Sequence, residues 1–178
     1  MRLETERLIL RKPRLADAEA AFEYLGDAEV MRFLGGETVP REDCRDVIRK
    51  WLERWEANGF GYFTLERRDD GRFVGRVGLN VWHTETWRHA TLAEAGEGAQ
   101  PELAWTLVRA HWGNGYATEA ARAVRDWARS DLGFERLISL IAPENVRSQN
   151  VAARLGARPT ETITFFDGSP GVVWVHPR

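Results

Sequence analysis

The spacing of hydrophobic positions changes several times along the chain, and each change marks an element. Leu3 to Arg11 alternates in part and is rich in Leu and Ile, which predicts a first strand ended by Pro13. Asp17 to Leu25 follows at helical spacing, with Ala18, Ala21, Phe22 and Leu25 on one side. Residues 26–41, with Gly26, Gly35, Gly36 and Pro40, read as a loop holding a short helical piece near Val30–Phe33. From Glu42 to Glu56, Val47, Ile48, Trp51, Leu52 and Trp55 make one helical stripe, stopped by Asn58-Gly59.

Phe60–Glu66 and Phe73–Trp82 flank Asp69-Asp70-Gly71, a hairpin signal. Residues 83–100 have little periodicity and read as one long polar loop, a length often tied to function. Glu102–Val108 is a short strand, and Tyr116–Ser130 is a helix with Ala117, Ala120, Ala121, Val124 and Ala128 on one face. Leu137–Ala142 is nearly all apolar, as in a strand buried on both faces. Asn145–Leu155 is a helix closed by Gly156, and Thr160–Phe166 pairs with Val172–His176 around the turn 167–171. The order is β-α-α-β-β-β-α-β-α-β-β. It predicts a single α/β (α+β) domain over residues 1–178, with a mixed sheet of about seven strands and flanking helices.

Composition narrows the picture by exclusion. With 178 residues, 43% hydrophobic and 29% charged, the chain suits one globular domain. A net charge of −2 with mixed signs leaves no footprint for nucleic acid or an anionic membrane. No apolar run reaches the roughly 18–20 residues of a membrane span, and residues 1–20 carry Glu4, Glu6 and Asp17 in place of a signal-peptide core. Cys44 is the only cysteine, which suits a reducing cytoplasm. The four histidines have no metal-ligand spacing, so no metal is expected.

Candidate chemistry gathers where a strand runs through glycines into a helix, at Trp112-Gly113-Asn114-Gly115-Tyr116-Ala117-Thr118. The first turn of a helix presents unpaired N–H groups and a positive dipole end, an anion site that glycines let a ligand approach. The same glycines also serve an ordinary helix start, and spacing alone does not separate the two. Strand parity puts Leu103, Trp105 and Leu107 on one face and Glu102, Ala104 and Thr106 on the other.

Four pieces in order resemble the GNAT (GCN5-related) N-acetyltransferase superfamily, in its ribosomal-protein N-acetyltransferase (RimJ/RimL-like) branch. They are Thr5-Glu-Arg-Leu-Ile-Leu-Arg11 with Asp17, Glu102-Leu-Ala-Trp105, Trp112 to Ala120, and Asn145-Val-Arg-Ser148 through Gly156. The resemblance implies that acetyl-CoA is the co-substrate. Its pyrophosphate would lie on residues 112–118 and its thioester end beside Asn145 and Ser148, with a backbone N–H near Leu107 polarising the carbonyl. It further implies Glu102 as general base and Ser148 as acid, or as hydrogen-bond donor to the departing sulfur. The family pattern is departed from twice. Trp112 replaces the usual Gln or Arg, and Ala152 stands where many members place a tyrosine acid.

The acceptor would be a primary amine, either a protein α-amine or a small molecule. A lysine amine lies about 3 pH units above neutrality and an α-amine about 1, so lysine asks roughly 3 kcal/mol more of the site. Phe33, Trp82 and Trp87 are candidate acceptor-binding residues, with Glu85, Glu94 and Glu97 as an acidic rim; core-packed aromatics in a solvated loop are the plainer explanation of them. A non-catalytic acyl-CoA-binding module is the alternative function. A second copy of the chain could add at the Val172–Trp174 strand if that strand is a sheet edge.

Overall fold

A computed structural model describes residues 1–178. The strands are β1 (Arg2–Glu4), β2 (Leu8–Arg11), β3 (Tyr62–Arg67), β4 (Phe73–His83), β5 (Arg88–His89), β6 (Ala99–Leu107), β7 (Ile138–Ile141), β8 (Arg158–Thr164) and β9 (Pro170–Val175). The α-helices are α1 (Ala18–Leu25), α2 (Ala28–Met31), α3 (Cys44–Asn58), α4 (Leu92–Ala95), α5 (Tyr116–Ser130) and α6 (Val146–Arg154). One sheet runs β1-β2-β3-β4-β6-β7-β9-β8, with β5 added to β4. All neighbours are antiparallel except β6 and β7.

The mixed α/β architecture and the element order agree with the sequence reading, but there are nine strands. The expected first strand is two, β1 and β2, folded back on each other through Thr5-Glu6-Arg7. The expected loop 83–100 contains β5, helix α4 and the start of β6. Thr91 caps α4, its hydroxyl accepting from Glu94 N–H while the Glu94 carboxylate accepts from Thr91 N–H. Glu94 is thus engaged as a helix cap. The Val172–Trp174 strand lies inside the sheet between β7 and β8, so β8 and β1 are the edges. A second chain cannot add to β9.

The two faces of the sheet differ in chemistry. Leu79 and Leu103 sit opposite each other, as do Val77 and Trp105, and this face packs on Ala120, Ala121, Val124 and Trp127 of α5. The other face pairs Gln100 with Trp82, Glu102 with Asn80, Ala104 with Gly78 and Thr106 with Arg76, and lies under α1 and α3. Thr64, Asn80, Gln100, Glu102 and Thr106 are all buried on it. Thr64, Asn80, Gln100 and Glu102 each have hydrogen-bond partners there, as buried polar groups require, whereas Thr106 Oγ1 has none. At its outer end Arg11 Nη2 bridges Asp17 (2.7 Å) and Glu66 (2.6 Å), and Thr64 Oγ1 donates to Asp17 (2.8 Å). Burial alone would raise the Asp17 carboxyl, but these donors hold it below the ordinary range.

Candidate functional site

β6 and β7 are paired only at Glu102 and Ile138, after which they part. Val108 N–H donates to Val74 O on the β4 side. Alternation along a strand then turns the amides of Trp105 and Leu107 the other way, into the opening between β6 and β7. The partners of this side agree, since Leu103 O accepts from Ser139 Oγ at 2.5 Å and Leu107 O from Trp112 Nε1 at 2.9 Å. The β6 side of the gap therefore carries the amides of Trp105 and Leu107.

Glu102 stands at the apex of that gap, 6% exposed. Trp82 Nε1 donates to its Oε2 at 2.6 Å, and Leu140 N–H to its Oε1 at 3.3 Å. The carboxylate thus satisfies the β7 amide that loses its strand partner where the sheet opens. Burial pushes the Glu102 carboxyl up; the Trp82 and Leu140 donors, the Arg76 charge and Asn80 restrain the rise without cancelling it. A carboxyl moved toward neutrality is a better match for taking a proton from an amine. Removing the Trp82 donor should raise it further. Trp82→Phe is expected to move the acid limb of the kcat/KM pH profile upward by about one unit, the equivalent of one charge-assisted hydrogen bond.

The apex has a second support. Ser139 Oγ lies 2.9 Å from His176 Nε2 and spends its hydrogen on Leu103 O, so Nε2–H of the imidazole must donate to the hydroxyl. Nδ1 is buried without a partner. Burial, then the Arg125 and Arg129 charges, lowers the His176 pKa from 6.5 to about 4. The fold therefore favours the neutral ring, and this stability is full above pH 6.5 and lost as pH falls toward 4. His176 should account for about 3 kcal/mol of the loss seen in urea unfolding across that range, beside a contribution from His89, whose pKa burial also lowers to about 4. His176→Asn should reduce that slope by the His176 share and leave the His89 share in place.

Beyond the gap, the chain turns into α5. Gly113 and Gly115 adopt φ of +79° and +80°, left-handed values that glycine alone adopts without strain. An added Cβ on Gly113 would touch nothing within the protein, so conformation and not crowding requires it. Gly115 caps α5 and its carbonyl takes the first helical bond, from Glu119 N–H. The N–H groups of Tyr116, Ala117 and Thr118 are left for an outside acceptor. Asn114 Nδ2 braces the loop on the carbonyls of His111 (3.2 Å) and Trp112 (3.1 Å).

A clamp from the N-terminal hairpin fixes this loop. Glu119 accepts from Thr5 Oγ1 (2.6 Å), Arg7 N–H (2.9 Å) and Arg7 Nε (2.7 Å). Arg7 Nη1 holds Asn114 O at 3.0 Å, and its guanidinium lies 4.7 Å from the Tyr116 ring. Two of the sequence pieces that carry the family resemblance are thus bonded to each other.

Helix α6 completes the gap. Asn145 caps it, its side chain accepting from Ser148 N–H at 3.1 Å, and Ser148 is half-buried in the first turn. Arg147 spans from this helix to the loop, 4.3 Å over the Trp112 ring, and pairs with Glu29 of α2 at 3.0 Å. Trp112 thus ties the loop to Leu107, and Arg147 ties to the same loop the helix whose first turn holds Asn145 and Ser148. Of the aromatic candidates only Trp82 touches Glu102. Trp87 packs with Ile138, Ile163 and Val173, and Phe33 follows α2 with Arg32 over its ring at 5.1 Å. Sequence reasoning did not single out Asn80, Arg76, Tyr62 or Tyr24. The parity that places Trp82 on the Glu102 face also places Asn80 and Arg76 there.

This arrangement fits a ligand with an anionic end and an extended amide-bearing arm. Helix N–H groups without an intrahelical partner suit the anion, and the parted strand suits the arm. Comparison with known proteins agrees. Residues 7–158 match the family model described as the acetyltransferase (GNAT) domain. YkkB of Bacillus subtilis, described as an uncharacterized protein, is 31% identical over 167 residues, covering 91% of this chain and 88% of YkkB. YoaA of the same organism, described as an uncharacterized N-acetyltransferase, is 28% identical, covering 86% of this chain and 81% of YoaA. A crystal structure of an acetyltransferase from Agrobacterium tumefaciens superposes with a TM-score of 0.80 at 28% identity, covering 100% of this chain and 95% of that one. RimL, a ribosomal L7/L12 alpha-N-protein acetyltransferase solved with coenzyme A, shares the fold, with a TM-score of 0.76 at 12% identity over 99% of this chain and 97% of RimL.

Proposed function

The chain belongs to the acetyltransferase (GNAT) family and is an acetyl-CoA-dependent N-acetyltransferase, and from that premise we propose that it acetylates a primary amine at Glu102. The observation that carries the reading is the buried Glu102 carboxylate at the point where β6 and β7 part. Acetyl-CoA supplies the activated acetyl group and takes away the electron pair of the broken C–S bond. The N–H groups of Tyr116, Ala117 and Thr118 receive its pyrophosphate, and the Trp105 and Leu107 amides line its arm. Glu102 accepts the proton the amine sheds, directly or through one water, so that the nitrogen attacks as a free base. Leu107 N–H donates toward the carbonyl oxygen. Ser148, in the first turn of α6, donates a hydrogen bond to the leaving sulfur, a thiolate that needs little help. Ala152 offers no acid. In this reading the protein is a cytoplasmic enzyme, in keeping with its single buried cysteine. The acceptor is a protein α-amine, as in the RimJ/RimL-like branch, or a small-molecule amine.

The test is release of free CoA, read with a thiol reagent, from acetyl-CoA mixed with amines and N-terminal peptides. Turnover of at least one amine is expected. Acetyl-CoA at about 100 times its dissociation constant should add roughly 2.7 kcal/mol of stability. Stabilisation without turnover of any amine would favour a non-catalytic acyl-CoA-binding module.

A further inference from the structure

Arg76 is the outlier of the polar face. Its Nε and Nη1 are buried with no hydrogen-bond partner, and it joins no ion pair. Its guanidinium lies 3.9 Å from the Tyr62 ring centre and 5.4 Å from that of Trp51, so aromatic faces are its company. Two more unpartnered buried groups belong to the same neighbourhood. Thr106, whose Oγ1 has no partner, stands directly opposite Arg76, and the Tyr24 and Tyr62 hydroxyls both lie close enough to feel its charge without making a well-formed hydrogen bond to it. Arg11 makes the contrast on the same face, where the chain supplies Asp17 and Glu66 to satisfy a strand arginine. It supplies no carboxylate to Arg76, because Glu102 is engaged by Trp82 and Leu140.

The floor between Arg76 and Glu102 is low. Opposite each other midway are Gly78 and Ala104, the smallest side chains available. Gly78 has its own reason to be glycine, since a Cβ there would sit 2.3 Å from Gly61 O. Arg76, Tyr62 and Ala104 each keep partial exposure at the rim, while the Arg76 Nε and Nη1, Thr106 Oγ1 and Tyr24 hydroxyl lie covered beneath it. From Glu102 to Thr106 the backbone advances about 13 Å, four residues of strand.

We propose that the acceptor is an amine that also carries an anionic group, a carboxylate or phosphate, held by Arg76 with the Thr106 and Tyr24 hydroxyls while its amine faces Glu102. The inference rests on the acetyltransferase reading above and names the substrate class of that same site. A planar guanidinium with two free donors is suited to an oxyanion, and a buried one without a partner is costly unless a ligand completes it.

Matched acceptors test it, with CoA release as the readout. Straight-chain ω-aminocarboxylates are compared with their carboxamides, and aminoalkyl phosphates with the corresponding amino alcohols. We expect an anionic amine to exceed its neutral twin at least tenfold in kcat/KM, and the better of the two anionic series identifies the anion. Arg76→Gln should bring that ratio close to one. Tyr24→Phe, which removes only a hydroxyl, should lower it severalfold and keeps the test open if Arg76→Gln fails to fold. Neutral twins turned over as well as their anionic partners would overturn the proposal and leave the acetyltransferase reading standing. Equal loss on both twins in Arg76→Gln would also overturn it. No turnover of any pair, with acetyl-CoA still raising the melting temperature, would overturn both.

Discussion

Exchange of Glu102 for glutamine will lower kcat about a hundredfold or more at neutral pH, while affinity for acetyl-CoA changes little. A positioned general base contributes roughly 10²–10⁴ in rate, and glutamine keeps the shape of the side chain while removing its ability to take a proton. The substitution also has a structural side. Trp82 Nε1 and Leu140 N–H both point at carboxylate oxygens, whereas a glutamine offers one oxygen and one NH2. One buried donor then loses its acceptor, at about 1–3 kcal/mol, and the melting temperature should drop by a few degrees. The pH dependence of the rate separates the two effects. If Glu102 removes the proton, the deficit shrinks as pH rises and more of the amine is free base. A deficit of constant size at every pH, with weakened acetyl-CoA binding, would make Glu102 a structural support of the opened sheet. Wild-type turnover in the variant would remove it from proton transfer.

The architecture was legible wherever periodicity ran for several turns. Helix α5 occupies Tyr116–Ser130 as its alanine face predicts, and both hairpin signals, at 69–71 and 167–171, join antiparallel strands. Short elements hid. Thr5-Glu6-Arg7 contains no glycine, proline or asparagine to mark a break within Leu3–Arg11, so a turn between two strands looked like the middle of one. Helix α4 is one turn long and was signalled only by Thr91 and Glu94 at capping-box spacing. The site was legible in its loop and in Glu102, because glycines before a helix and a carboxylate among apolar strand positions are local signals. What surrounds them is not local. The parting of β6 from β7 is an absence of pairing, which no run of residues encodes. Arg76 sits in a strand where a polar residue at every second position ordinarily faces water, and only α1 and α3 above it make it buried. The partnership of Thr5 and Arg7 with Glu119 spans more than a hundred residues, and its two halves appeared in the sequence as separate motifs.

That partnership carries the second large effect. Glu119→Ala should weaken acetyl-CoA binding about tenfold and lower stability by roughly 2–4 kcal/mol, because three hydrogen bonds and the Arg7 ion pair (2.6 Å) are lost together. Arg7 would then no longer be held where its Nη1 fixes Asn114 O, and the loop between Gly113 and Gly115 would sample more conformations before meeting the pyrophosphate. Charge alone argues for the opposite sign. Glu119 lies in the first turn of α5, where a carboxylate competes with a bound anion, so removing it would tighten binding if electrostatics dominated. Arg7 weakens that competition by neutralising the carboxylate. The Glu119 carboxyl is indeed held low, since burial would raise it but the Thr5 hydroxyl and the Arg7 donors outweigh burial. Calorimetric titration of acetyl-CoA into the variant therefore decides by its direction. Weaker binding shows that the hairpin organises the loop, and tighter binding would show that Glu119 acts there mainly as a charge.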